Sequence, residues 1–336
     1  MRGRWGGLAA VVVTLAVGAD ATAQAPKAPV WSPQVWLHAH NCYPDDGHGA
    51  DRLARALASA RGTVAIEQDV VWDAARRQSV VSHDTELDGR EPALEEHFFA
   101  AVSARLDRAL EARATATWPL IVLHLDFKTN EPEHHAAIWS LLGRYERWLT
   151  TAPRVDAAGG VQALTLGPLL VLTEQGEGQE KAFHDAVAPG ARLRIFGTVP
   201  TPAPPEGLSV EARAALAAAT APEVLVPSGA TNYRRWTNHA WGVVEEGGPP
   251  RAGAWTPADE ARLAALVRRA RALGLWLRFY TLNGHPKGHE GWTEGYNFGT
   301  LAAVTTRWEA AIAAGVDFIA TDQYEAFSET RARVVR

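Results

Sequence analysis

Runs of apolar, β-branched residues alternate along this chain with segments whose apolar residues recur at helical spacing. That alternation restricts the fold more than any other feature of the sequence. The strand-like runs begin at Val35, Val64, Leu120, Leu169, Arg194, Val224, Trp276 and Phe318, eight in all. Between them lie helix-period stretches: ADRLARALASA, with an apolar stripe at Leu53, Ala56, Leu57 and Ala60, then residues 94–113, Glu133–Leu149, Thr256–Leu273 and Leu301–Ala314. Thr256 and Pro257 suit an N-cap and a first helical position, and Gly274 and Gly315 follow the last periodic residues. A short hairpin-like piece ends in Val80-Val81-Ser82-His83. Eight strands alternating with helices over roughly 300 residues predict an α/β fold, a single (β/α)8 TIM barrel, rather than a doubly wound sheet. No G-x-G-x-x-G or P-loop pattern occurs, which argues against a nucleotide-binding fold.

In such a barrel the chemistry sits at the C-terminal ends of the strands. His40, Glu67, Asp69, Asp126, Lys128, Asn283 and Asp322 all fall there, and Tyr280 closes the run LWLRFY. In Glu67-x-Asp69 the two carboxylates share one face of a strand, because strand side chains alternate. Carboxylates forced together repel and are tolerated mainly where a cation or a shared proton neutralises them. With Asp126 as a third carboxylate, His40 and His83 as titratable partners and Lys128 nearby, the pattern predicts a metal-assisted acid/base site. An all-oxygen ligand set favours Mg²⁺ or Ca²⁺ over zinc. His38 shares a face with His40 and reads as a barrel-interior group; His124 stands in the same relation to Asp126. His285 and His289 lie in a Gly-rich stretch and read as solvent-exposed. The segments Ala230–Trp255 and Gly284–Gly299 lack strand or helix pattern and read as loops over the same rim. Their Tyr233, Trp236, Trp241, Trp292 and Tyr296 would then choose the leaving group.

The 336 residues carry 33 basic and 38 acidic side chains for a formal charge of −5, with no Lys/Arg run that could track a phosphate backbone, so no nucleic-acid partner is expected. The single cysteine, Cys42, excludes an internal disulfide. MRGRWG is basic, GLAAVVVTLAVG is apolar but too short to span a bilayer, and Ala23-Gln24-Ala25 fits a small-x-small cleavage site. The expected organisation is a signal peptide at 1–25, a linker at 26–34 and the barrel at 35–330, exported to a periplasm or secreted. No further apolar run is long enough to span a membrane, and the oligomeric state is left open by the sequence.

Taken in order, H-N, A-I-E-Q-D-V, V-V-S-H-D, L-D-F-K-T-N and G-V-D-F-I-A-T-D resemble the phosphatidylinositol-phospholipase-C-like phosphodiesterase superfamily. That group includes the glycerophosphodiester phosphodiesterases and the spider-type sphingomyelinases D. The branch named for altered inheritance of mitochondria protein 6 is the most similar, and NHAWGVVEEGGPP is an altered form of its W-x-G-x-G-P-M segment. The resemblance implies that His40 and His83 are the catalytic histidines, that Glu67, Asp69 and Asp126 hold a divalent cation, and that Lys128 helps hold the substrate phosphate. Asn41, Tyr280, Asn283 and Asp322 would complete the substrate site. Asn41 stands where glycerophosphodiesterases have the Arg of H-R-G, Asp126 replaces their Glu, and Cys42 replaces the Asp of H-N-D-Y. The implied function is an exported, metal-dependent phosphodiesterase acting on a glycerophosphodiester or phospholipid-type substrate, a small molecule or a lipid. Cleavage would proceed by two-histidine acid/base catalysis. A non-catalytic exported barrel binding a phosphorylated or lipid-like ligand is the second reading, and the presence of both histidines argues against it. A glycoside hydrolase would need two facing carboxylic acids, which an E-x-D pair on one strand does not supply.

Overall fold

The computed structural model describes residues 35–44, 49–60, 62–113, 115–157, 160–289 and 292–335. The segments read as a signal peptide and a linker, up to residue 34, lie outside them. In chain order the elements are β1 (Trp36–Ala39), α1 (Arg52–Ser59), β2 (Val64–Asp73), β3 (Gln78–Val81), α2 (Ala100–Ala112), β4 (Ile121–Phe127) and α3 (Pro132–Arg144). There follow β5 (Ala152–Pro153), β6 (Leu169–Thr173), β7 (Arg192–Leu193), β8 (Gly197–Thr198), α4 (Val210–Ala219), α5 (Pro222–Leu225) and β9 (Arg234–Ala240). The chain ends with α6 (Pro257–Ala272), β10 (Trp276–Tyr280), α7 (Leu301–Ala314), β11 (Phe318–Thr321) and α8 (Tyr324–Val334).

Eight of these strands run parallel in the order β6-β4-β2-β1-β11-β10-β9-β8, with helices between them. The ring is nearly closed: β1 pairs with β11, Trp36 opposite Phe318, and a single parallel bridge between Leu172 and Phe196 joins β6 to the approach of β8. This is the (β/α)8 barrel expected from the alternation. The β3 hairpin also forms, with β3 antiparallel to the long β2. Gly197 is required where β8 passes β9, because a Cβ there would come within 2.5 Å of the Tyr233 ring.

Local chemistry explains the best-defined helix. Thr256 caps α6 by accepting from the Asp259 N–H while the Asp259 carboxylate returns to the Thr256 N–H, and Pro257 sits at N1, where no donor is needed.

Three expectations are corrected. Val224–Val226 is not a strand: Pro222 starts the short α5 instead, and Val224 is 49% exposed. The strand that belongs at this place in the barrel is β9, inside the segment read as the loop Ala230–Trp255. Its RRWTNHA alternates core and cavity faces, a period-2 signal in which apolar and polar residues both point inward. The run Leu193–Thr198 is divided: β7 pairs with β5 outside the barrel, and only Gly197–Thr198 joins the ring.

Alternation along the strands builds the barrel interior in layers. Trp36, Ala65, Val122, Trp236, Trp276 and Phe318 form an apolar floor within one buried cluster. Two residues further along the same strands stand His38, Glu67, His124, Asn238, Arg278 and Ala320. Two further again come His40, Asp69, Asp126, Tyr280 and Asp322. The outward-facing alternates, among them Leu37, Ile66, Leu123 and Phe279, pack under the helices in the larger core.

Candidate active site

The upper two layers open into a cavity of about 410 Å³ lined by His40, Asn41, Glu67, Asp69, His83, Asp126, Lys128, Glu174, Asn238, Arg278, Tyr280, Asn283, Thr293, Tyr296 and Asp322. The structure therefore brings together every residue the sequence named as catalytic, cation-holding or part of the substrate site. It also adds Glu174, Asn238, Arg278 and Thr293, and Tyr296 of the expected rim loop joins them.

The cavity's floor is charged. Arg278 is 2% exposed and donates through Nη2 to Glu67 Oε2 at 2.6 Å, through Nη1 to Asn238 Oδ1 at 3.0 Å and through Nε to His38 Nδ1 at 3.3 Å. Burial alone would raise the Glu67 carboxyl, but Arg278 together with His40 and His124 outweighs it and the net shift is downward. Burial and the Arg278 charge push His38 well below its ordinary value, so it stands here as a neutral acceptor. This confirms it as an interior group. His124, also fully buried, lies 3.8 Å from Glu67 and 3.4 Å from Glu174. His38, Glu67 and His124 approach one another closely enough to suggest a ligand set. The Arg278 guanidinium already supplies positive charge there and would repel a cation.

Above this floor, register places Asp69 opposite Asp126 across the β2–β4 pair. Glu67, Asp69 and Asp126 each offer an oxygen within 4.8 Å of the others. Lys128 Nζ lies 2.8 Å from Asp126 Oδ2 and 3.0 Å from Asp69 Oδ2, and the Tyr43 hydroxyl donates to Asp69 Oδ2 at 2.9 Å. Burial, together with the neighbouring Glu67 and Asp126, still pushes Asp69 up to about 6. The carboxylates outnumber what neutralises them.

Beside these carboxylates, just past the ends of the neighbouring β1 and β11, His40 Nδ1 donates to Asp322 Oδ1 at 2.8 Å. Asn283 Nδ2 holds the other Asp322 oxygen at 2.7 Å, and Asn41 Nδ2 reaches Oδ1 at 3.3 Å. Burial would lower the imidazole, but Glu67 and Asp322 outweigh it and raise His40 to about 9. His40 is therefore an imidazolium at neutral pH. The Tyr296 ring stacks over it at 5.5 Å. His83 reaches the same cavity from the turn after β3, at its mouth, with 59% of its side chain exposed.

The loop reading divides in two. The described residues of this segment, 284–289 and 292–299, do form a largely irregular stretch that brings Thr293 and Tyr296 to the cavity. Tyr233, Trp236 and Trp241 are instead buried core residues; Trp236 is fully enclosed and donates Nε1–H to the Thr173 carbonyl at 3.0 Å. Trp292 is half-buried and is not among the lining residues. His285 is half-buried, stacked against His289 at 4.1 Å. The signal for Arg278, Asn238 and Glu174 was parity: each lies two residues from a floor or rim residue on the same inward face.

No protein-family model matches the sequence, and no curated protein matches it. Among solved structures, a glycerophosphoryl diester phosphodiesterase from Parabacteroides distasonis is 12% identical, covering 90% of this chain and 87% of its own, with a TM-score of 0.40. A dihydropteroate synthase from Burkholderia cenocepacia, complexed with 7,8-dihydropteroate, is 14% identical over 89% of this chain and 90% of its own, with a TM-score of 0.38. The barrel assignment rests on the strand order itself.

Proposed function

We propose that this chain is a divalent-cation-dependent phosphodiesterase. The observation that supports it most is one cavity holding three converging carboxylates beside a carboxylate-held imidazolium. Among the described residues that line the cavity, Glu67, Asp69, Asp126, Glu174 and Asp322 meet Arg278, Lys128 and protonated His40, an excess of two negative charges. A phosphodiester is itself an anion and would be repelled. A hard divalent cation on Glu67, Asp69 and Asp126 would correct that balance, polarise the phosphoryl oxygens and order a nucleophile; Mg²⁺ and Ca²⁺ both suit the donor set.

The chain's own residues then divide the proton work. His40, raised and held by Asp322, is the acid that protonates the leaving oxygen as the P–O bond breaks. His83, open to solvent at the mouth, takes the proton from the attacking water or substrate hydroxyl. Lys128 and Asn41 face the phosphate. Among the described residues no aliphatic side chain lines the cavity, and its only carbocyclic faces are Tyr280 and Tyr296. That lining favours a small polar diester, such as a glycerophosphodiester, over an acyl-bearing lipid. Among the described residues no helix is long and apolar enough to cross a membrane. We place the activity outside the cytoplasm on the strength of the signal-like segment at 1–25.

The test is a hydrolysis screen over glycerophosphodiesters, phosphatidylinositol, lysophospholipids and sphingomyelin, with and without chelator. Glycerophosphodiester cleavage that stops with chelator and returns with Mg²⁺ or Ca²⁺ is expected. Full activity in excess chelator refutes the metal reading, and cleavage confined to acylated substrates refutes the polar-diester reading.

A further inference from the structure

Each of the three candidate ligands commits one oxygen to the protein. Glu67 gives Oε2 to Arg278, Asp69 gives Oδ2 to Tyr43 and Lys128, and Asp126 gives Oδ2 to Lys128. Among the described residues no hydrogen bond takes the second oxygen of each, Oε1 or Oδ1, and only His124 Nδ1 comes near one of them, 3.8 Å from Glu67 Oε1. The two protein cations that hold these carboxylates differ in kind. Arg278 is locked in the barrel axis, its side chain 2% exposed and its fork shared among Glu67, Asn238 and His38. It cannot retreat. Lys128 stands at the strand end with its backbone N–H fixed to the Val70 carbonyl at 2.9 Å, its side chain 21% exposed and its ammonium on a flexible four-carbon stem.

That ammonium bridges Asp69 and Asp126, the pair of carboxylates that register sets opposite each other. It therefore neutralises the same charge that a divalent cation would neutralise. Resting on the cation reading above, we propose that Lys128 is an internal counter-ion that competes with the divalent cation for Asp69 and Asp126, sets its affinity, and turns toward the cavity when the cation enters. The structure contains both halves of the exchange. A fixed pair of carboxylates is held by a donor that can leave, beside a cavity that gives the departing ammonium somewhere to go. Once released, the ammonium faces the space a phosphate would fill, so cation entry prepares anion capture. Lys128 is on this account a positioning residue before it touches substrate.

Cation binding alone, with no substrate present, tests this. Metal-free full-length wild type, K128M and K128R are titrated with Mg²⁺ and with Ca²⁺ by calorimetry. K128M removes a like charge a few ångströms from the bound cation and is expected to bind at least about tenfold tighter than wild type. K128R keeps the charge and is expected to remain nearer wild type than K128M. K128Q repeats the neutralisation with a polar side chain, in case the apolar stem of Met disturbs the site. Wild type and both neutral variants binding equally, or the neutral variants more weakly, overturns the competition while leaving the cation reading intact. No binding by any of them overturns both. Binding by K128M and K128Q but not by wild type supports the competition in its strongest form.

Discussion

Replacing Arg278 with Met would test the charged floor directly. The Arg278 and Glu67 side chains are 2% and 5% exposed and meet at 2.6 Å, so the pair is shielded from solvent. Two unit charges about 4 Å apart interact by about 4 kcal/mol at an effective dielectric of about 20. Removing one partner of a buried pair typically costs about 3–5 kcal/mol, because the other charge stays buried without compensation. Met retains most of the apolar stem, so the loss reports mainly on charge and hydrogen bonding. The sign with pH is fixed by Glu67. In the wild type its carboxyl is depressed, so its contribution is present above the ordinary carboxylate range and is lost as pH falls. In R278M the largest of the charges that lower the Glu67 carboxyl is gone, so the carboxyl rises relative to the wild type and protonation on acidification relieves part of the penalty. The deficit of R278M, measured by urea unfolding against wild type, is expected to be largest near neutral pH and to shrink toward mild acid. R278M/E67Q should recover most of it at neutral pH. A deficit below about 1 kcal/mol at pH 7, or one independent of pH and unrelieved by E67Q, would refute the reasoning.

The His40–Asp322 pair carries the opposite pH sign. His40 is raised from 6.5 to about 9, so its stabilising contribution is complete below pH 6.5 and is lost as pH rises through about 9. D322N should therefore fall furthest below wild type in mild acid below about pH 6.5 and approach it as pH rises through about 9 in unfolding experiments. It should also move the alkaline limb of the rate profile to lower pH. Trp236→Ala is expected to cost about 3–5 kcal/mol in denaturant unfolding, as for a filled core site; Tyr296→Ala should leave stability nearly unchanged and reduce turnover. Thr256→Ala removes the α6 cap and should lower stability by about 1 kcal/mol without altering activity.

The fold was legible because its signal is repeated. Seven of the eight strand starts fall at or beside real strands, and the polar strand ends do share one cavity. What misled the reading was the assumption that barrel strands are apolar throughout. Val224-Leu225-Val226 has the composition of a strand but lies behind Pro222, whereas RRWTNHA has the alternation without the composition. A barrel with a charged middle layer needs strands of the second sort. The same assumption hid Arg278, which sits two residues before Tyr280 on the same inward face and reads in isolation as an interruption of LWLRFY. Glu174 was missed for a related reason: it follows LLVLT by one residue, where a carboxylate is most easily taken for the start of a loop. The depth of His83 could not be read at all, since V-V-S-H-D shows a hairpin but not how far its turn stands from the cavity.

The barrel's circumference is held unevenly, and this bears on how the molecule gives way. β2 and β4 share seven registered residue pairs, whereas β6 meets the approach of β8 only at Leu172 and Phe196, where hydrogen bonds run from Thr173 N–H and to Val171 O. Local opening concentrates where the fewest backbone bonds must break together. In deuterium exchange the amides of Thr173 and Phe196 should therefore label well before those of Ile66 or Leu123. Glu174 follows directly on that seam, so its flank of the cavity can widen while the Glu67–Asp126 flank keeps its register. A bulky substituent on the substrate would find its room on the Glu174 side.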